Sequence, residues 1–301
     1  MFRRLAASLT VAVPASRCFA FAQGQAQGRN EERVMEKLLP EGWERAVDES
    51  LGGRAYYVNK STGETTWDVP TGGWCANWDG REGQQNTHKG VKQTILLVRH
   101  GQYESAHGRD SDELALDSQR VLTPLGREQA ALTGKRIEEL VGAGIIPPID
   151  SIVYSTMTRA TETFRCILEQ LSTPPPLHRI LASDMLREGA VTRPIPSFKE
   201  WKPTDEEFDK DGKRVEAAFC NYIHRPSEKQ AKSSTSVLVC HGNVIRYILL
   251  RVLQYNPSGW CRLAVYNASI TRIDVYQDGH ISVYGVGDVG HLPAQTHVTY
   301  S

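Results

Sequence analysis

Residues 95–101 read Ile95-Leu96-Leu97-Val98-Arg99-His100-Gly101: four apolar residues in succession, then two basic side chains and a glycine. An apolar run without polar alternation is what a parallel strand needs when helices cover both faces of its sheet. Two further runs have the same form. Ile152-Val153-Tyr154 ends at Ser155, and the helix predicted after it sets Met157, Ala160, Phe164, Ile167, Leu168 and Leu171 on one face, with Arg159 in its first turn. Val237-Leu238-Val239-Cys240 ends in His241-Gly242-Asn243 and leads into a helix over residues 244–253. Between the first two runs, Thr123 and Pro124 supply an N-cap and a first helical position for a helix running towards Gly142. Residues 270–276 and 281–286, joined across Asp278-Gly279, read as a terminal hairpin. Strands alternating with helices imply an α/β protein, and in an open α/β sheet ligands lie beyond the carboxyl ends of the strands. Three such ends carry Arg99, His100, Arg159 and His241. Two guanidiniums, two imidazoles and helix N-termini converging there make a receptor for a tetrahedral dianion, so the four residues are read as a phosphate site.

The same residues carry a family resemblance. Arg99-His100-Gly101, Ser155-Thr156-Met157-Thr158-Arg159-Ala160 and Cys240-His241-Gly242-Asn243-Val244-Ile245-Arg246 resemble the histidine phosphatase (phosphoglycerate mutase-like) superfamily. Leu122-Thr123-Pro124-Leu125-Gly126-Arg127-Glu128-Gln129-Ala130, Leu186-Arg187-Glu188-Gly189-Ala190 and the stretch from Glu216 to Arg225 are similar to its mitochondrial Ser/Thr protein phosphatase branch. The resemblance implies a three-layer α/β sandwich with a mostly parallel sheet over residues 93–301. It also implies a phosphoprotein phosphatase that needs no metal or cofactor. His100 would attack phosphorus in line to give a phosphohistidine while Arg99, Arg159 and His241 stabilise the equatorial oxygens. A Ser or Thr alkoxide leaves poorly, so a proton donor is required; Glu188 matches the family's loop carboxylate, with Asp184 and Glu162 as alternatives. Mutase-type members usually carry Asn six residues after the nucleophile, where this chain has Ala106, and residues 108–122 are short and charged, as suits an open mouth that admits protein substrates. A small-metabolite phosphatase or mutase, or an idle scaffold on the same fold, are the competing readings. His107, His224 and His291 are read as surface or structural residues, His291 alone having a claim to lie near the site.

Upstream lies a smaller unit. Residues 39–45, 55–59 and 65–67 read as three short strands joined by Gly52-Gly53 and by Ser61-Thr62-Gly63. From Leu39-Pro40-Glu41-Gly42-Trp43 through Tyr56-Tyr57-Val58-Asn59 to Trp67 and Pro70, the order of markers resembles a WW domain, here spanning 39–72. Strand alternation puts Tyr57 and Asn59 on one face, in a small core with Trp43 and Pro70, and leaves Tyr56 and Trp67 as an exposed pair on the other. Flat exposed rings suit a proline-rich partner that is already extended. Lys60 stands where many Pro-Pro-x-Tyr readers carry His, which leaves the ligand class open. In the linker, residues 73–92, Trp74-Cys75-Ala76-Asn77-Trp78-Asp79 is similar to the phosphatase branch's assembly motif, with Cys75-Ala76 in place of Asp-Pro. Trp74, Asn77, Trp78 and Asp79 are therefore expected to dock, either locally or on a second copy in a homo-oligomer.

The first 30 residues contain Arg3, Arg4, Arg17 and Arg29 and no acid, and Phe2, Leu5, Ala6 and Leu9 share a helical face. Such a leader is read as a mitochondrial transit peptide, with Arg17-Cys18-Phe19 as a processing site; a secretory signal and a short membrane anchor are the rivals. The apolar stretch over 5–13 is too short to span a bilayer. Over the whole chain 35 basic residues balance 35 acidic ones, which speaks against a nucleic-acid binder. Six dispersed cysteines without Cys-x-x-Cys spacing argue against a disulfide framework or zinc site, and Cys166, Cys220 and Cys240 are expected to be buried small hydrophobes.

Overall fold

The computed structural model describes residues 39, 42–49, 54–60, 63, 65–67, 77–81, 90–104, 117–197 and 201–300. The leader, Trp74 and residues 108–116 of the charged 108–122 segment lie outside them.

The large sheet has six strands in the order β6-β5-β7-β4-β8-β9. β4 (Lys92–Arg99), β5 (Ile149–Ser155), β6 (Ile180–Ser183) and β7 (Ser234–Cys240) are mutually parallel, and the β8 (Ile270–Tyr276) and β9 (Ile281–Asp288) hairpin closes one edge antiparallel to β4. Alternation along β4 sorts two cores. Ile95 and Leu97 pack on one face with Leu238, Phe219 and Ile248, beneath α3 (Asp205–Tyr222) and α4 (Gly242–Val252). Leu96 and Val98 pack on the other with Ile152, Ile137 and Ile167, beneath α1 (Pro124–Gly142) and α2 (Thr158–Leu168). All four β4 residues are fully buried, which is why the run shows no polar alternation. The fold is a three-layer α/β sandwich with a mostly parallel sheet.

Local signals act where the sequence places them. The Thr123 side chain accepts from Gly126 N–H with Pro124 opening α1, and Met157, Ala160, Phe164, Ile167 and Leu171 are buried, whereas Leu168 is only partly so. Two elements went unread: the edge strand β6, and α3, whose Thr204 and Glu207 form a reciprocal capping box. Cys240 is buried, but Cys166 and Cys220 are half-buried, because each sits at the margin of its helix's apolar face.

The small sheet is β1 (Trp43–Asp48), β2 (Arg54–Asn59) and β3 (Thr65–Thr66), antiparallel, with Trp43 opposite Asn59 and Tyr57 opposite Thr66. The first strand begins and ends later than the expected 39–45, because pairing runs on to Asp48 opposite Arg54. Tyr57 is buried, while the rings of Tyr56 and Trp67 meet at 5.6 Å with Trp67 44% exposed. Pro70 lies outside the described residues.

Candidate active site

His100 follows the last residue of β4 and is pinned on both sides. Its N–H donates to Cys240 O at 3.0 Å, and its carbonyl accepts from Ala268 N–H at 3.1 Å. The turn behind it packs backbone to backbone on the start of α1: a Cβ on Gly101 would lie 2.3 Å from Gly126 O, and one on Gly126 only 1.9 Å from Gln102 O. Only glycine tolerates that approach. Gly101 N–H donates to Thr163 Oγ1 at 3.0 Å, tying the turn to α2.

The imidazole of His100 has one tautomer compatible with its neighbours. Nδ1 lies 2.8 Å from the Gly101 carbonyl, which can only accept, so the proton is on Nδ1. Arg159 Nε–H points at Nε2 from 3.3 Å, so that nitrogen presents its lone pair. Burial, followed by the Arg159 and Arg99 charges, holds the ring well below its ordinary pKa of 6.5, keeping it neutral at physiological pH.

Around it stand the other expected residues. His241, the N-cap of α4, lies with its ring 5.0 Å from that of His100 and its Nε2 2.8 Å from Ser155 Oγ; its buried Nδ1 makes no hydrogen bond. Ser155 Oγ also accepts from Met157 N–H. With the Ser155 hydroxyl proton directed to Nε2, the proton of the neutral ring is on Nδ1. Arg99 donates from Nη1 to Val265 O at 2.7 Å and lies over the Tyr300 ring. Arg159 spans His100 and the Asp117 carboxylate, 3.2 Å from Nη2, with its guanidinium over the Tyr103 ring. A phosphoryl dianion would compete with Asp117 for that guanidinium.

Of the three carboxylates, Glu188 is the one that feels the Arg159 and Arg99 charges. Its Oε2 accepts from Asn243 N–H at 3.3 Å and its Oε1 from Gly189 N–H at 3.1 Å, which sets it at the N-terminus of α4 beside His241. Burial pushes its pKa up from 4.5, against the opposing pull of Arg159, the two N–H groups and Arg99. Glu162 is committed to Leu122 N–H and Arg127, and Asp184 is exposed and accepts from Thr156 Oγ1. His291 Nε2 lies 2.9 Å from Thr133 Oγ1 on α1. His107 lies outside the described residues.

The family model described as "Histidine phosphatase superfamily (branch 1)" matches residues 95–286, and the WW domain model matches 39–70. The chain belongs to the histidine phosphatase superfamily. Among curated relatives, the protein named serine/threonine-protein phosphatase PGAM5, mitochondrial, of Xenopus laevis is 42% identical over 246 residues, covering 75% of this chain and 83% of the relative. The Homo sapiens protein of the same name is 39% identical over 243 residues, covering 74% and 78%. Among solved structures, phosphoglycerate mutase from Plasmodium falciparum is 27% identical with a TM-score of 0.46, covering 70% of this chain and 99% of that one.

Several residues of this histidine phosphatase site were not legible as such. Asp117 falls at the end of a charged stretch with no motif, and Tyr300 is the penultimate residue; folding alone brings them to the strand ends. Ser155 and Asn243 stood inside the quoted motifs without a role. In the linker, Trp78 is buried against Phe219 and donates from Nε1 to Gly279 O at 2.8 Å, while Asp79 pairs with Arg225 at 2.7 Å and Asn77 begins the turn that carries them. In the single chain this docking is local. In the WW sheet, Asp48, Tyr56, Thr65, Thr66 and Trp67 line a cleft of about 150 Å³. No helix among the described residues is long and apolar enough to cross a membrane.

Burial lowers the pKa of His224 and His291 as well as those of His100 and His241. As pH falls through about 6.5 the unfolded chain takes up protons on these rings and the folded chain does not, so stability decreases with falling pH. Melting temperature is expected to drop between about pH 7.5 and 5.5, and less steeply in His241→Asn. A pH-independent melt over that range would contradict the assignment of neutral buried imidazoles.

Proposed function

We propose that the chain is a mitochondrial protein serine/threonine phosphatase that works through a phosphohistidine, with Arg99, His100, Arg159 and His241 binding the phosphoryl group. The observation that carries this reading is the His100 tautomer: a neutral ring with its Nε2 lone pair facing the cationic side chains. Nε2 forms the P–N bond as the bond from phosphorus to the Ser or Thr oxygen breaks. The guanidiniums of Arg99 and Arg159 and the Nδ1–H of His241 take the charge on the equatorial oxygens. Glu188 gives its proton to the departing alkoxide, then as carboxylate takes one from the water that cleaves the P–N bond and releases inorganic phosphate. The scheme needs no metal or cofactor. The relatives' names support phosphoprotein substrates and a mitochondrial location, and residues 1–30 support the location as a transit leader.

The remaining assignments belong to the same reading. Residues 39–72 form the WW module, whose Tyr56 and Trp67 hold a proline ring of a partner; residues 93–301 form the catalytic domain. The segment from Trp74 to Asp79 assembles copies into a homo-oligomer by exchange, Trp78 and Asp79 leaving Phe219, Gly279 and Arg225 of their own chain for the same residues of a neighbour. Deletion of residues 74–79 should then reduce particle size in sedimentation, and an unchanged size would remove that part.

The test of the chemistry uses purified protein in EDTA on a phosphoserine peptide, 3-phosphoglycerate and a chromogenic phosphate ester. Peptide turnover is expected; turnover confined to 3-phosphoglycerate would overturn the reading in favour of a metabolite enzyme. Glu188→Gln should lower kcat on the peptide by about 10² to 10⁴ and let a ³²P-labelled phosphoenzyme accumulate with a good leaving group. The alkaline limb of the pH profile should vanish with it, because the wild-type acid must be protonated. Undiminished peptide turnover in Glu188→Gln would move the acid elsewhere.

A further inference from the structure

Four interior arginines of this fold come with carboxylates: Arg159 pairs with Asp117, Arg225 with Asp79, Arg251 with Glu216 and Arg272 with Asp274. Arg246 is different. It is 8% exposed, and its donors go to neutral oxygens: Nε–H to Leu263 O at 2.8 Å, Nη1–H to Asn243 Oδ1 at 3.2 Å and Nη2–H to the Tyr300 hydroxyl. Among the described residues no carboxylate forms an ion pair with it. A buried cation lacking a counter-ion is costly, and an anion arriving there offsets that cost.

Its position ties it to the phosphate site. A Cβ on Gly242 would lie 3.4 Å from Arg246 Nη1 and 3.5 Å from Arg99 Nε, and the Tyr300 ring lies against both guanidiniums, at 5.9 and 5.5 Å. Asn243 links the two centres, its N–H on Glu188 and its Oδ1 on Arg246. From Asn243 and Arg246 an open groove of about 240 Å³ continues between Trp201, Trp260, Cys261 and Tyr300. We propose that Arg246 and this aromatic groove form an anion subsite beside the phosphoryl site, which reads an acidic side chain carried by the phosphoprotein close to the phosphoresidue. The indole walls take the methylenes and backbone of that segment, and Arg246 takes its charge, exchanging the Tyr300 hydroxyl for an anionic oxygen. The subsite rests on the phosphoprotein phosphatase reading above.

The test is a set of phosphoserine peptides with one Glu moved stepwise along both flanks, each matched by a Gln control, with a second phosphoserine and 3-phosphoglycerate as further arms. At one register Glu should raise kcat/KM about tenfold over Gln, chiefly through KM. A larger gain from the second phosphoserine would identify that group, rather than a carboxylate, as the preferred anion. Arg246→Gln should abolish the Glu/Gln difference. Because Arg246 also holds Leu263 and Asn243, Cys261→Glu serves as a second variant that leaves those bonds in place; its carboxylate should turn the preference towards the Gln peptide. Equal kcat/KM for Glu and Gln at every register in active wild-type protein would overturn the subsite and leave the phosphatase reading standing. Turnover of 3-phosphoglycerate without turnover of any peptide would instead remove the reading on which it rests.

Discussion

His100→Ala is expected to reduce turnover of a phosphoserine peptide by a factor on the order of 10⁴ or more, with no labelled phosphoenzyme at any time point. The size follows from what the ring does. Hydrolysis without it requires water to attack the dianion directly, and the remaining Arg99, Arg159 and His241 stabilise a transition state that has lost its nucleophile. The fold should survive the change, because His100 is held mainly through its backbone, by Cys240 O and Ala268 N–H, and those bonds do not involve the ring. Removing a buried ring still leaves a cavity, so a loss of about 1–3 kcal/mol in stability accompanies the substitution without unfolding the domain. Activity within tenfold of wild type, or a phosphoenzyme formed on another residue, would sink the phosphohistidine mechanism.

Asp79→Ala is expected to destabilise the chain by about 3–5 kcal/mol, the range for removing one partner of a buried ion pair. Both Oδ atoms are engaged: Arg225 Nε–H lies 3.0 Å from Oδ1 and 2.9 Å from Oδ2, Nη2 is 2.7 Å from Oδ1, and the Arg225 N–H donates to Oδ2 at 2.9 Å. Truncation leaves the Arg225 guanidinium buried without its carboxylate and unseats the neighbouring Trp78. The exposed pair Lys213 and Asp209, at a similar distance of 2.8 Å, should cost under about 1 kcal/mol when broken, because water solvates its charges in either state. Urea unfolding of Asp79→Ala beside Asp209→Ala makes the comparison; equal losses would show that the linker segment contributes nothing to the stability of the catalytic domain. Replacing both Asp79 and Arg225 by apolar residues of similar volume should recover much of the loss, since the penalty lies in the orphaned charge.

What could be read along the chain was local in origin. The ends of β4, β5 and β7 were legible because buried parallel strands leave unbroken apolar runs, and α1 because Thr123 and Pro124 act within one turn. The helix α3 escaped because its buried residues, Val215, Glu216, Ala218 and Phe219, are confined to its C-terminal part and the rest is charged; Thr204-x-x-Glu207 was the signal to be read. The edge strand β6 is short, with Leu181 exposed, and carries little periodicity. Among the three carboxylates residue type made no choice; the family resemblance singled out Glu188, and the structure sets it at the α4 N-terminus while Glu162 is spent on Leu122 and Arg127.

From sequence alone came the α/β class, the WW module and the grouping of Arg99, His100, Arg159 and His241 at three strand ends, because each stands at a fixed offset from a strand that announces itself by composition. Tertiary structure alone decided which nitrogen of His100 is available, that Asp117 and Tyr300 reach the same arginines, that Trp78 and Asp79 dock on Gly279 and Arg225, and that Arg246 is buried without a carboxylate. These depend on contacts between residues far apart in the chain, whose hydrogen bonds and charges exist only once the sheet order has brought the strand ends together.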